Sequence, residues 1–566
     1  MSEAARELQA PNSRRLKWAA VAVVILAAAL LRLIDLGAVR LDPFYDAAVR
    51  SMGTSWKNFF FGAWEPGGSV SIDKPPVDLW LQVASVKALG FGSTSLKLPE
   101  ALGGVAAVGL IYASVRRVWG FAAGIGAALA LAVMPVEIIT ARSDTMDAVM
   151  MALLAGALLL LIKACESGRV SWLLAAAAVL GIAFNVKLLE TLIALPGLAL
   201  IALLGFRGNA PGWLRARAAP LAAAVVVYVA VALLWLTATL LFPTHERPYA
   251  IGSTNGSAWN AAFVFNGLDR IEGKAVEGTT LVYKRGRRFV SASVQEGERA
   301  QIPPPSPTRL LKGHGPLPIE RLGLELLVAL ALGVPAVALG FKRSGRIQRA
   351  VGLGLVVWLL TGALLFSAMT RLHPRYVEGF TPAVAALVGI GVAWAAGILT
   401  AGRPGRMSAV ALAGLLALVL ALPLLASVRA VADRVSDAGN VGALPAQELG
   451  KLSAYLRANR GNAKYEVAVD SATKASALIV RDGLPVVVLT TYQGQVLTSV
   501  ARLQQLIARG EVRYALLNSS CTRHTPRSDA ACSQPALWVR AHGQDVSRQA
   551  GLKRLGVLWR LPEAIG

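Results

Sequence analysis

The residues of this chain best suited to chemistry are charged side chains placed beside apolar runs. Asp42 and Asp46 stand one helical turn apart in Leu41-Asp42-Pro43-Phe44-Tyr45-Asp46, so on a helix they share a face. Asp73 and Lys74 precede Pro75-Pro76, whose rings stiffen the backbone and fix where the lysine points. Further along come Ala141-Arg142-Ser143-Asp144-Thr145-Met146-Asp147, then Phe184-Asn185-Val186-Lys187-Leu188-Leu189-Glu190, then Arg371 and His373-Pro374-Arg375-Tyr376. A carboxylate can take the proton of a hydroxyl group. Lysine and arginine can hold a phosphate and stabilise charge developing on a leaving oxygen. Charges next to membrane spans are costly to keep there, which makes them functional candidates. Each has a plainer reading beside it. A loop acid is ordinarily solvated, Asp73 can pair with Lys74 or Lys187, Arg142 with Asp144 or Asp147, and Tyr376 can be an interfacial anchor.

The elements that position these residues are apolar. Of 566 residues, 55% are hydrophobic and 16% charged, and mean hydropathy is +0.55. Soluble domains carry about 25% charged residues, and many runs here approach the roughly 20 residues that cross a bilayer core. About 11 spans are expected, near 17–37, 98–118, 120–140, 146–163, 171–185, 188–206, 219–242, 322–341, 350–370, 377–399 and 407–428. The first follows Arg14, Arg15 and Lys17 with no small-residue cleavage site after it, and reads as an uncleaved span. The net charge of +24 belongs to short links: Arg116-Arg117, Lys163 and Arg169, Arg207 to Arg217, Lys342 to Arg349, Arg403 and Arg406. Every second link is basic, which predicts a cytoplasmic N-terminus. No basic-aromatic tract points to nucleic acid.

That topology places 38–97, 243–321 and the C-terminal part outside. The first of these is aromatic (Trp56, Phe59, Phe60, Phe61, Trp64, Trp80) and reads as interfacial helices. The second carries Pro303, Pro304, Pro305 and Pro307 and a basic run from Lys284 to Arg288, a composition suited to a mobile segment. The domains expected are 1–429, membrane-embedded, and 430–566, a soluble extracytoplasmic α/β domain. In the latter, strands are predicted at 465–469, 485–490 and 512–517, and helices at 446–459 and 498–509. Of three cysteines, Cys165 ends an apolar run, while Cys521 and Cys532 could form a disulfide outside the cell. His245-Glu246 and His373 make no spaced metal-ligand cluster, and there is no Walker or Rossmann glycine loop. No cofactor is expected, a divalent metal being the minor alternative.

The segment around Asp42 and Tyr45 followed by Asp73-Lys74-Pro75-Pro76 resembles the first periplasmic loop of the bacterial protein-mannosyltransferase-like and aminoarabinose-transferase-like family. Arg142 to Asp147 resembles the family's Arg-x-Asp-x-x-Asp segment, and Asn185-Val186-Lys187 its Asn-x-Lys. Arg247-Pro248-Tyr249, Gly252-Ser253-Thr254, Phe265-Asn266-Gly267, His373-Pro374-Arg375-Tyr376, Pro382, Gly510 and Arg513-Tyr514 resemble further blocks in the same order. The resemblance implies a polytopic GT-C fold. It also implies a polyprenyl-phosphate-sugar donor and single-displacement transfer with inversion, which needs one base and no covalent nucleophile. Asp42 is then the base, with Asp46 as its rival and Asp73 on the acceptor side. Lys74, Lys187, Arg371, Arg375 and Tyr376 are candidates for the donor phosphate, with Arg142, Asp144, Asp147 and His373 in support. The chain departs from the family in two places. Aligned on Tyr45, the family acid falls at Leu41, and the insert around 284–299 is atypical. A transporter and an inactive scaffold of the same fold are the other classes considered. A transporter would place its charges near the midplane and repeat one half in the other; neither is visible. The sequence names neither the sugar nor the acceptor, which could be a protein, a lipid or a glycan.

Overall fold

The computed structural model describes residues 11–269, 280–285, 288–293, 305–311, 319–369, 372, 374–400, 410, 414, 420–439, 442, 444–471, 473–491, 495–518, 521 and 530–563. The chain divides into two compact units. The first comprises Met1–Arg40, Gly92–Leu234 and Pro303–Asp437; the second comprises Leu41–Phe91, Trp235–Ile302 and Ala438–Gly566.

The first unit is helical because its segments are long aliphatic runs whose backbone polar groups can be satisfied only within a helix when lipid surrounds them. Among the described residues eight helices are long and apolar enough to cross a membrane: Arg14–Ala38, Ser93–Trp119, Asp147–Ser167, Val170–Ile193, Leu214–Thr239, Leu324–Arg343, Arg346–Ala368 and Thr381–Leu399. The protein is a multi-pass membrane protein. Two of the expected spans take a different form. The run at 120–140 is two helices, Phe121–Val133 and Pro135–Ala141, bent by 60°. Pro135 lacks the N–H that would continue the first helix and is well suited to begin the second. The run at 188–206 opens with a 3-10 turn, Leu188–Ile193, and leaves an 11-residue helix, Leu195–Gly205. Half of the expected span 407–428 lies outside the described residues, which resume at 420 and include the helix Leu422–Ala432.

Helices of this unit approach closely where side chains are missing. A Cβ on Gly197 would stand 2.4 Å from the Gly354 carbonyl oxygen, and one on Gly354 would stand 2.6 Å from that of Gly197. Helices Leu195–Gly205 and Arg346–Ala368 therefore pack backbone to backbone, as small residues allow in membranes.

The second unit is mixed. Helices Pro43–Met52, Trp56–Phe61 and Val77–Leu89 come from the segment expected at the interface. Its aromatics mostly pack inward: Trp64 and Phe61 are buried, whereas Trp56 is 85% exposed. Phe59 stacks on Trp80 at 5.3 Å between centroids, and Phe44 on Trp64 at 6.2 Å. Burial of such rings against each other outweighs a place at a surface. Strand β1 (Val70–Ser71) pairs in parallel with β2 (Tyr249–Ala250). Strand β3 (Thr280–Arg285) pairs antiparallel with β4 (Arg288–Ser293), and Lys284, Arg285 and Arg288 of the basic run lie on these strands.

The C-terminal part forms a five-stranded sheet of β5 (Ala468–Ser471), β6 (Val487–Thr490), β7 (Tyr514–Leu516), β8 (Gln544–Asp545) and β9 (Leu558–Arg560), in the order β6-β5-β7-β9-β8. The first three strands are parallel, and β9 is antiparallel to both neighbours. Val487, Leu489, Leu503, Leu506, Val512 and Leu517 fill the core. Cys521 and Cys532 are joined in a disulfide, and Cys165 is a buried thiol.

Burial together with a hydrogen bond to Asp482 pushes the Glu466 carboxyl up to about 9 from an ordinary value of 4.5. The folded domain thus holds a proton that the unfolded chain releases. That contribution to stability is complete below about pH 4.5 and is lost as pH rises toward 9. Glu466→Gln keeps the donor and cannot ionise. Thermal unfolding of the full chain should show the variant gaining on wild type between pH 6 and pH 9; equal slopes against pH would refute this role.

Candidate active site

The candidate residues fall into two constellations, one in each unit. In the second unit, Pro43 at the first helical position and Asp42 as N-cap start the helix Pro43–Met52, an arrangement that both residue types favour. One Asp42 carboxylate oxygen accepts from the Phe44 N–H at 3.0 Å, and the other from the Gly439 N–H at 2.8 Å. Asp46 is fully buried one turn along the same helix. The solvated alternative for both acids is therefore excluded. A carboxylate has about four lone-pair sites, so Asp42 keeps acceptor capacity beyond its two backbone bonds.

Asp73 and Lys74 form an ion pair at 3.5 Å. Lys74 also donates to the Tyr45 hydroxyl at 3.1 Å and lies 5.4 Å from its ring centroid. The backbone of this loop is held from two sides. Strand β1, just before it, pairs with β2, and the Asn266 amide donates to the Asp73 carbonyl at 2.6 Å. Tyr249 of β2 donates to the Ser253 carbonyl at 3.0 Å and bonds the Gln495 side chain. The Tyr249, Ser253 and Asn266 blocks thus act on the Asp73–Lys74 loop by positioning it. That role is invisible in sequence because the three lie far from the loop along the chain.

Gly439 approaches Asp42 so closely that an added Cβ would lie 2.9 Å from its Oδ2. Gly439→Ala should therefore shift the carboxylate and lower turnover by about 10- to 100-fold, the cost of misplacing a reacting group by a fraction of an ångström to an ångström. Unchanged turnover in the alanine variant would show that Asp42 needs no such placement.

In the first unit, Lys187 ends the helix Val170–Lys187 and Asp147 begins the helix Asp147–Ser167. The two are buried and joined as an ion pair. Glu190 stands 3.5 Å from the same ammonium, and the Tyr376 ring centroid 5.6 Å from it. Two of the four non-glycine residues with positive φ among those described flank this pair, Met146 at φ 70° and Leu188 at φ 51°. Such conformations cost on the order of 1–3 kcal/mol each and gather at functional sites.

Arg375 bonds the Asp437 carboxylate at 3.0 Å and its carbonyl at 3.2 Å. The Ser143 hydroxyl accepts from the Asp437 N–H at 2.9 Å. Burial pushes the Asp437 carboxyl up, and the Arg375 charge opposes that shift. Asp437 was not among the sequence candidates; the only signal was an acid just beyond the last apolar run. Tyr376 and the buried Glu378, which accepts from Thr140, lie in the turn Pro374–Gly379 with Arg375. Arg371 and His373 lie outside the described residues.

Arg142 takes neither expected acidic partner. It donates to the carbonyls of Leu31, Arg32 and Ile34 at 3.2, 3.2 and 2.6 Å, closing the open end of the first apolar helix. Burial lowers its pKa. Asp144 is buried nearby in sequence. Beneath this layer Arg32 and Glu137 form a buried pair that the sequence candidates omitted. Among the described residues no group of three or more His, Cys, Asp or Glu side chains is placed to hold a metal ion.

The fold has counterparts among solved structures. The fold matches that of ArnT from Cupriavidus metallidurans, solved with undecaprenyl phosphate, at a TM-score of 0.55 and 16% identity over 95% of this chain and 97% of that one. It also matches the archaeal oligosaccharyltransferase AglB from Archaeoglobus fulgidus, solved with an inhibitory peptide and a dolichol-phosphate, at 0.54 and 12% identity over 89% and 69% of the two chains. The chain shares the fold of these two proteins.

Residues 73–247 match the model described as dolichyl-phosphate-mannose-protein mannosyltransferase. Residues 452–542 match one described as "Putative mannosyltransferase YkcB-like, C-terminal". The Bacillus subtilis proteins named "Putative mannosyltransferase YycA" and "Putative mannosyltransferase YkcB" are each 33% identical, over 257 and 253 residues. These matches span 45% and 44% of this chain, and 37% and 35% of the relatives' own length.

Proposed function

We propose that this protein transfers a sugar from a polyprenyl-phosphate donor to an acceptor on the extracytoplasmic face of a bacterial inner membrane, with its N-terminus in the cytoplasm. The observation that carries this reading is the presence of two cations, Lys187 and Arg375, inside an apolar helical unit and near enough to act on each other. Buried charge is costly, and two cations suit a lipid-linked phosphate leaving group.

Arg375 is the better placed to engage the phosphate. Its partner Asp437 is pushed by burial toward the neutral acid, so releasing the arginine costs less. Lys187, bridged by Asp147 and Glu190, sets the local charge and joins the phosphate contact. Asp42 takes the acceptor proton as general base, Asp46 is its rival, and Asp73 and Lys74 shape the acceptor side. The displacement inverts the anomeric carbon in one step, with the sugar–phosphate bond breaking as the acceptor oxygen attacks. The acceptor is a hydroxyl or phosphate of a protein, lipid or glycan.

The test is release of free polyprenyl phosphate from a panel of labelled polyprenyl-phosphate monosaccharides by the purified full chain in nanodiscs, with membrane extract as the acceptor source. Release with one sugar supports the reading and names the donor. Absence of both release and binding for every donor would overturn it.

A further inference from the structure

Far from the charged layer, the first unit carries a half-open cavity of about 260 Å³. Its wall includes Trp119, Phe341, Ser344, Gln348, Arg349 and Trp394. Trp119 ends one span, Arg349 lies in the first turn of another, and Trp394 lies thirteen residues beyond Thr381 on a third. At 1.5 Å per residue Trp394 is roughly 20 Å along its helix from the end that follows Arg375 and Tyr376. The cavity therefore belongs to the opposite ends of the spans from the Lys187 and Arg375 cluster.

The chemistry of the wall has one sign. Arg349, Gln348 and the two indole N–H groups are donors, and none of these four side chains makes a hydrogen bond to another described residue. No lining residue is acidic. Arg349 lies 5.6 Å from the Phe341 ring centroid, a contact that orients the guanidinium without neutralising it. Ser344 donates to the Gly340 carbonyl at 2.9 Å and retains only acceptor capacity. Lys342, Arg343 and Arg346 occupy the same short link, the kind of basic link that faces the anionic leaflet. The remaining wall is apolar, from Ala123, Ala336, Val337 and Ile390, and the volume falls just below that of pockets that hold whole drug-sized ligands.

We propose that this cavity is a binding site for the phosphate headgroup of an anionic membrane phospholipid, with Arg349 and the two tryptophans as its donors. Basic pockets between transmembrane helices recognise such headgroups through charge, while the acyl chains remain in the bilayer. The site takes no part in glycosyl transfer and stands whether or not that reading holds.

The test is native mass spectrometry of the full chain titrated with phosphatidylglycerol or phosphatidylcholine, alongside thermal unfolding. Wild type should retain phosphatidylglycerol in preference to phosphatidylcholine and be stabilised by it. Arg349→Gln should bind it about fivefold more weakly, the effect of removing one cation at a membrane surface. Arg217→Gln, in a different basic link, should bind as wild type. Arg349→Glu, which reverses the charge, should abolish the preference. Equal retention of the two lipids, or retention by Arg349→Gln equal to wild type, would overturn the proposal. So would stabilisation by inorganic phosphate with none by phosphatidylglycerol, since the site would then be one for the free ion.

Discussion

Replacing Asp42 by asparagine should lower turnover by about 10²–10⁴-fold, the range a positioned general base contributes, while leaving the fold intact. The substitution is informative because Asp42 has two duties. As N-cap it accepts the Phe44 N–H, and its second oxygen accepts the Gly439 N–H. Asparagine is as good an N-cap as aspartate, so the helix start is kept, while the group that could take a proton is gone. Alanine removes both functions and should in addition cost about 1 kcal/mol of stability. The measurement is release of polyprenyl phosphate, with thermal unfolding of each variant beside it. If Asp42→Asn turns over as wild type while Asp46→Asn does not, the base is Asp46 and Asp42 is a cap alone.

Removing Lys187 should have the largest effect on stability. It is buried against Asp147 and Glu190, and breaking a buried pair by deleting one partner costs about 3–5 kcal/mol, because the remaining charge is stranded. Lys187→Met should therefore unfold at markedly lower temperature than wild type. Adding Asp147→Asn removes the stranded charge and should recover most of that loss, since a neutral, well-packed replacement is often no less stable than the pair. Turnover should not recover. A missing donor to the developing phosphate charge costs about 10²–10³-fold, and the double variant lacks it still. Recovery of both stability and turnover would assign Lys187 a structural role only and leave the phosphate to Arg375.

The readings that held rest on short-range physics. Short apolar runs rich in valine and leucine, bounded by polar or turn residues, announce the three parallel strands wherever the chain goes next. The helix at 446–459 lies where the amphipathic pattern puts it. What escaped were elements with little local signal. Strand β8 is two exposed polar residues, and β9 has three residues. β9 exists because β7 offers an edge to pair with, and β8 because β9 does in turn, a condition that no window of sequence contains. The inward packing of Trp64 and Phe61 escaped for a similar reason. An aromatic run reads alike whether it lies on a bilayer or against its own neighbours.

The sequence by itself determined the class of protein. Twenty-residue apolar runs, a basic residue pair in every second link and a polar C-terminal quarter follow from hydrophobic length and charge alone, and these do not depend on who neighbours whom. It also determined which residue types are available for chemistry, since a charge beside an apolar run must be explained wherever it occurs. Tertiary structure alone decided the partners. Lys187 goes to Asp147 and Glu190, Arg375 to Asp437, Arg142 to the carbonyls of the first helix, and Asp42 to the Gly439 backbone. The reason is that a buried charge is satisfied by whatever donor or acceptor the packing brings within about 3 Å. Gly439 is almost four hundred positions from Asp42 along the chain, and only the fold makes them neighbours.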